Sequence, residues 1–145
     1  MYVYRELKAT PADYAAYKQL IKQFRDTEFT ESEFYQTLSE INKSSLIVIA
    51  QETETNKMIA TATIIFEHKF IFNRAIYAHI EDVCVDETLR GQGWGRRIIE
   101  HCILKAKERN CYKITLDCAD NNVGFYEKCG LERRGNQMCN LISHL

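Results

Sequence analysis

Arg90-Gly91-Gln92-Gly93-Trp94-Gly95-Arg96-Arg97 is the stretch on which the reading of this chain turns. It follows an apolar, strand-like run, Ala78 to Val85, and opens a run with helical spacing that lasts to about Arg109. Three glycines at a strand-to-helix junction leave backbone amides free of side-chain cover. The first N–H groups of a helix also lack a partner within it, so such a turn can wrap an anion. Arg90, Arg96 and Arg97 add fixed positive charge beside it. A pyrophosphate is the first candidate ligand. A plain connection that uses glycine for tight turning would look the same, and the turn alone does not separate the two.

Working outward, Tyr2 to Leu7 reads as a first strand. Thr10-Pro11-Ala12-Asp13 is a helix start, with Thr as N-cap, Pro at the first helical position and an acid in the first turn. That helix is expected to run to about Arg25, with Tyr14, Tyr17, Leu20, Ile21 and Phe24 along one face. Thr30-Glu31-Ser32-Glu33 is a second capping signal, opening a helix that carries Phe34, Leu38 and Ile41. This aromatic stripe reads as core or as a lid over a ligand. Leu46 to Ala50 and Met58 to Phe66 are dense apolar runs separated by the polar stretch Glu52 to Lys57, which predicts an antiparallel hairpin. His68 to Tyr77 is an irregular connection of aromatic and basic character.

After the glycine turn, Ile98, Ile99, Cys102, Ile103 and Ala106 recur at helical spacing. Tyr112 to Cys118 alternates like a strand. Asn121 or Asn122 caps a short helix through Phe125 and Tyr126, and Gly130 is placed to stop it. The tail, Gln137 to Leu145, is expected to form a last strand. The order β-α-α-β-β-β-α-β-α-β predicts a mixed sheet with helices on both faces.

At 145 residues the chain is expected to be a single domain, 1–145. Its 46% hydrophobic and 27% charged residues are ordinary for a globular protein, and a net charge of −1 argues against a dedicated nucleic-acid binder. The charge is uneven: residues 1–89 hold 9 Lys/Arg against 14 Asp/Glu, and residues 90–145 hold 10 against 6. A polyanionic ligand is therefore expected against the second half. There is no run of eighteen apolar residues and no signal-peptide pattern, so no membrane span is expected and the cytosol is the default compartment. Cys84, Cys102, Cys111, Cys118, Cys129 and Cys139 form no Cys-x-x-Cys, and no His stands at metal-finger spacing. They read as reduced core residues, and no metal site is expected.

With a strand before it and a helix after it, the glycine turn resembles the cofactor turn of the GNAT N-acetyltransferase superfamily. There, Arg/Gln-x-x-Gly-x-Gly/Ala follows the fourth strand, and Arg90, Gly93 and Gly95 occupy its positions. His79-Ile80-Glu81-Asp82-Val83 is similar to a run of the eukaryotic glucosamine-6-phosphate N-acetyltransferases. So are Asn110-Cys111-Tyr112-Lys113-Ile114-Thr115-Leu116-Asp117-Cys118 and Asn122-Val123-Gly124-Phe125-Tyr126-Glu127-Lys128-Cys129-Gly130. Glu67-His68-Lys69-Phe70-Ile71 is a further, shorter match. The resemblance implies an α/β GNAT fold with a mixed, mostly antiparallel central sheet flanked by helices. It implies acetyl-CoA as cosubstrate, glucosamine 6-phosphate as acceptor, a place in UDP-N-acetylglucosamine synthesis, and a homodimer whose last strands reach each other's sites.

Residue by residue, the resemblance implies pantetheine and carbonyl contacts from the backbone of Val83, Cys84 and Val85. Pyrophosphate contacts fall to Arg90, Gly91, Gln92, Gly93, Trp94, Gly95 and Arg96, with Asn122, Tyr126, Glu127 and Lys128 also on the cofactor. Glu81, Asp82, Val83 and Asp117 are implied at the amino sugar, with Lys69, Phe70, Ile71, Phe72, Tyr112 and Lys113 as further contacts. Tyr126, Asp117 and Glu81 are the catalytic candidates. A phenol with a pKa of about 10 stays protonated where a thiol of about 8.5 has ionised, so Tyr126 can donate to the leaving thiolate. Asp117 can orient the ammonium. On a regular strand Glu81 and Asp82 would point to opposite faces. Relatives place a basic residue near the C-terminus for the sugar phosphate; the tail here has no Lys or Arg, and Arg133, Arg134 and His144 are the substitutes. An acetyltransferase for a polyamine or a protein N-terminus, and a non-catalytic acyl-CoA-binding module, are the alternative readings.

Overall fold

The computed structural model describes residues 1–143 and 145. In chain order the elements are β1 (Tyr2–Glu6), α1 (Pro11–Ile21), α2 (Glu31–Ile41), β2 (Ser45–Glu52), β3 (Met58–His68) and α3 (Ile71–Arg74). There follow β4 (Ile76–Val85), α4 (Trp94–Glu108), β5 (Lys113–Leu116) and α5 (Val123–Lys128). Five strands lie in the order β1-β2-β3-β4-β5. Neighbours are antiparallel except β4 and β5, which are parallel. This is the mixed sheet that the element order predicts, mostly antiparallel as the resemblance implies.

Both helix starts form as their sequences require. Thr10 Oγ1 accepts from the Asp13 N–H at 3.1 Å. Thr30 and Glu33 close a reciprocal capping box, with bonds of 3.2 and 3.1 Å. The apolar density of β2 reflects burial on both faces. Leu46, Val48 and Ala50 point into a core with α4, while Ile47 and Ile49 point into a second core with α1 and α2. Tyr17, Leu20, Phe34 and Leu38 fill that second core, so the aromatic stripe is core. Ile98, Ile99, Cys102 and Ala106 turn the apolar face of α4 onto the opposite side of the sheet. Helices thus cover both faces.

Three expectations are corrected. The tail forms no strand among its described residues, and Met138, Leu141 and Ile142 stand exposed. A strand needs a partner edge, and no pairing of the tail with the sheet is present among the described residues. His144, one of the candidate phosphate contacts, lies outside the described residues. Helix α1 ends at Ile21, earlier than Arg25, and passes into turns at Gln23 and Phe24. Of the six cysteines, all free, Cys84, Cys102 and Cys129 are buried and Cys111 half-buried, but Cys118 and Cys139 are exposed. Among the described residues no helix is long and apolar enough to cross a membrane.

Candidate active site

The site grows out of a break in β4. Its ladder with β5 ends at Ile80↔Leu116, yet β4 continues to Val85. On its other side the register passes from Thr63↔Glu81 to Thr61↔Cys84, so Ala62 alone faces both Asp82 and Val83. This is a β-bulge, and Asp82 takes a left-handed φ of 52°. The bulge inverts the alternation. Ala78 and Ile80 lie in the α4 core, and so do Val83 and Val85, while Cys84 turns to α1 and its thiol donates to the Leu20 carbonyl at 3.5 Å. The side chains of these three residues are therefore packing groups, and only their backbone is open to a ligand. The bulge interrupts the regular alternation on which the opposite facing of Glu81 and Asp82 rests. Burial and the neighbouring Glu81 carboxylate raise the Asp82 carboxyl above its ordinary range, with Arg25 opposing.

The glycine turn has the backbone geometry of a cradle. Gly91 and Gly93 have φ of 78° and 86°, and a Cβ on either would meet nothing within 4 Å. Gly93 is the N-cap of α4 and caps it with no side chain, which leaves the first helical N–H groups uncovered. Arg90 Nε donates to the Val85 carbonyl at 3.3 Å, tying the turn to the strand. Gln92 is exposed. Arg96 is exposed and pairs with Glu100 at 2.8 Å. Trp94 is buried. Its ring lies against Tyr2 (centroids 4.4 Å apart) with the Arg97 guanidinium over it at 4.7 Å, so it can offer a ligand only its backbone.

Gly95 links this turn to the candidate acid. A Cβ there would approach the Phe125 ring to 3.0 Å, so α5 lies directly against the start of α4. Next to Phe125, Tyr126 is half-buried against the α4 core, its ring edge-on to Phe125 at 4.9 Å. Burial, with the Cys118 and Cys129 thiols adding, raises the phenol above its ordinary pKa. Asn122 is the N-cap of α5, without a side-chain cap bond, and Glu127 and Lys128 are exposed on it.

Beyond the last β4–β5 pair, Glu81 and Asp117 converge on a residue that the sequence reading left without a role. His79 Nε2 is 2.8 Å from Glu81 Oε1 and 3.6 Å from Asp117 Oδ2, while Nδ1 is 2.8 Å from Thr115 Oγ1. The ligating atoms of His79, Glu81 and Asp117 all lie within 4.8 Å of one another. Such a set attracts a cation, a substrate ammonium included. The period-two rule placed His79 and Glu81 on one face of β4 and was the available signal.

The proposed sugar contacts gather around Tyr77, two residues back along β4. Lys69 and Lys113 place their ammonium groups 4.9 and 4.7 Å from its ring, and Lys69 is also paired with Glu67. Tyr112 stacks between Tyr77 and Phe72, at 5.8 and 4.7 Å. Phe72, Asn73 and Arg74 have φ of 50°, 56° and 65°, so α3 is a left-handed turn. Phe70 and Ile71 are exposed. Arg133 is bonded to Asp120 at 2.7 Å and Arg134 to Glu132, so neither guanidinium is unpartnered. Two cavities lie elsewhere. An apolar one of about 200 Å³ runs between α1, α2 and the sheet, and a polar one of about 640 Å³ lies beside α1 and the β2–β3 hairpin. The chemistry-bearing residues line an open surface.

At the site, then, a strand outruns its parallel partner and is followed by a glycine turn on a helix N-terminus. Residues 13–131 match the acetyltransferase (GNAT) family, and the chain belongs to it. Its relatives within that family include glucosamine 6-phosphate N-acetyltransferases of several organisms. It is 39% identical over 125 residues to glucosamine 6-phosphate N-acetyltransferase 1 of Dictyostelium discoideum, covering 84% of this chain and 80% of that one. Over 112 residues it is 37% identical to the Arabidopsis thaliana glucosamine 6-phosphate N-acetyltransferase, covering 75% of each. A crystal structure of the Arabidopsis enzyme superposes with a TM-score of 0.90 at 31% identity, covering 99% of both chains.

Proposed function

We propose that this chain transfers the acetyl group of acetyl-CoA to the amine of D-glucosamine 6-phosphate, giving N-acetyl-D-glucosamine 6-phosphate for UDP-N-acetylglucosamine synthesis. The observation that carries the reading is the convergence of Glu81 and Asp117 at the end of the β4–β5 ladder, in a chain whose relatives bear this activity by name. The open left-handed backbone at Gly91 and Gly93 fits a pyrophosphate, which Arg90 and Arg96 would help to neutralise. The unpaired edge of β4 at Val83 offers backbone groups to the pantetheine and to the thioester carbonyl as it gains charge. Glu81 and Asp117 hold the ammonium, which must lose a proton before it attacks; water carries that proton away. Tyr126 donates to the departing thiolate. Lys69 and Lys113, whose ammonium groups flank Tyr77 near this site, serve the sugar phosphate.

Residues 1–145 act in this reading as one cytosolic domain. A second copy completes it, and the exposed Met138, Leu141 and Ile142 of the tail are surface that such pairing would cover. A thiol-release assay with DTNB against a panel of amines tests the assignment. Preference for glucosamine 6-phosphate is expected. Preference for a polyamine or a protein N-terminus, or coenzyme A binding without turnover of any amine, would overturn it.

A further inference from the structure

His79 joins two carboxylates that arrive from different strands. Its ring sits across the parallel ladder from Thr115, its register partner. Two carboxylate oxygens face Nε2, Glu81 at 2.8 Å and Asp117 at 3.6 Å. A bare lone pair in that position would be repelled by both, so Nε2 carries the proton and donates. In the neutral ring Nδ1 is then left to accept from the Thr115 hydroxyl, 2.8 Å away. The imidazole is the most sheltered member of the set, 27% exposed against 46% for Glu81 and 43% for Asp117. The carboxylates therefore face an incoming ligand while the ring braces them.

We propose that His79 is a positioning residue for amine binding: its Nε2–H holds Glu81 beside Asp117, so that the substrate ammonium meets one preset pair of acceptors. The inference rests on the reading of this site as the amine-binding site. Without the ring the two carboxylates repel each other, and the long Glu81 side chain must be ordered by the substrate itself. The loss then falls on the amine and not on the cofactor, whose contacts lie on the glycine turn and the far end of β4.

The test is a kinetic series of His79→Leu, His79→Gln and Thr115→Val, run on whichever amine the wild-type protein acetylates fastest. His79→Leu should raise the KM for the amine roughly tenfold or more, the scale of one lost charge-assisted hydrogen bond, with a much smaller change in kcat. The KM for acetyl-CoA should stay unchanged. His79→Gln, which restores an N–H donor, should recover most of the loss, and Thr115→Val should fall between. Long-range ¹H–¹⁵N correlation spectra of the wild type should show Nε2 protonated. An unchanged amine KM in His79→Leu, an equal rise for acetyl-CoA, no recovery in His79→Gln, or an unprotonated Nε2 would overturn the inference alone. Failure of the wild type to acetylate any amine would overturn the functional reading, and this inference with it.

Discussion

A Cβ built on Gly95 would stand 3.0 Å from Cζ of Phe125, tighter than nine in ten such contacts. This contact is where the helix of the cofactor turn meets the helix of the candidate acid. Gly95 lies in the first turn of α4, where alanine would otherwise be favoured by about 1 kcal/mol. Gly95→Ala must instead displace the Phe125 ring, and Tyr126 is the next residue along. A misplacement of about 1 Å at a reacting group can cost as much as a hundredfold in rate. Gly95→Ala should therefore lower kcat by about tenfold or more while changing the urea midpoint little. Adding Phe125→Leu should restore part of the rate by freeing the space. Steady-state kinetics and urea titration of the two variants check this, and an unchanged kcat would break the proposed link.

Gly93 acts through its backbone. Its φ of 86° is left-handed, and the space around its missing Cβ is open. Gly93→Val therefore works first by strain, at about 1–2 kcal/mol for a side chain in that region and more for a β-branched one. The strain is relieved by rotating the very N–H groups that would face the pyrophosphate. Calorimetry should show weaker coenzyme A binding and a lowered melting temperature. Gly93→Asn, which tolerates the left-handed region, should keep more of the melting temperature. Unchanged coenzyme A affinity in Gly93→Val would refute the cradle.

Much of this was legible because the signals are local. Thr10 and Thr30 cap helices through residues three positions away, and a short window of sequence contains both partners. The apolar runs of β2 and β3 declare burial on both faces without reference to anything distant. The bulge at Asp82 was not legible, because it exists only as a mismatch between β3 and β4. No residue type marks it, and the strict alternation that it breaks is the natural default. The tail failed as a strand because its partner edge is not written in the tail. His79 lay inside a quoted motif without a role. Its meaning depends on Thr115, 36 residues on, which only the parallel register brings opposite. Glu81 and Asp117 were chosen through resemblance, and the same register explains why they meet.

Stability should depend on Asp13 in a pH-dependent way. Burial tends to raise its carboxyl pKa. The hydrogen bonds from the Arg5 guanidinium and the Lys8 N–H outweigh that and hold it below the ordinary range. The geometry is bidentate, with both Arg5 contacts at 2.8 Å and the Lys8 N–H at 2.7 Å. A depressed folded-state pKa gives stability that is present above the unfolded value, about 3.9, and lost as pH falls through the folded value. Asp13→Asn leaves a largely sheltered guanidinium without its counter-charge, and should cost about 3 kcal/mol at pH 7. The gap from wild type should narrow as pH falls from about 4 towards the folded value, because the unfolded wild-type carboxyl gains its proton first. Urea unfolding at pH 7 and pH 3 measures it. A gap that is equal at both would mean that the charge is not what matters.

Tyr126 allows the proposed chemistry to be tested apart from the fold. Its phenol is held above its ordinary pKa by burial, so it stays protonated across the working range and can donate where a thiolate forms. Tyr126→Phe keeps the ring, its edge-on contact with Phe125 and its place against the α4 core, and should change the melting temperature little. It should lower kcat by about a hundredfold, with a much smaller change in the KM for acetyl-CoA. The cause can be separated from a general disturbance by changing the leaving group. An acetyl thioester of a more acidic thiol needs less help to depart, so the gap between wild type and Tyr126→Phe should narrow with it. An equal gap for both donors would mean that Tyr126 serves some step other than thiolate departure. No loss of kcat would remove it from the chemistry altogether.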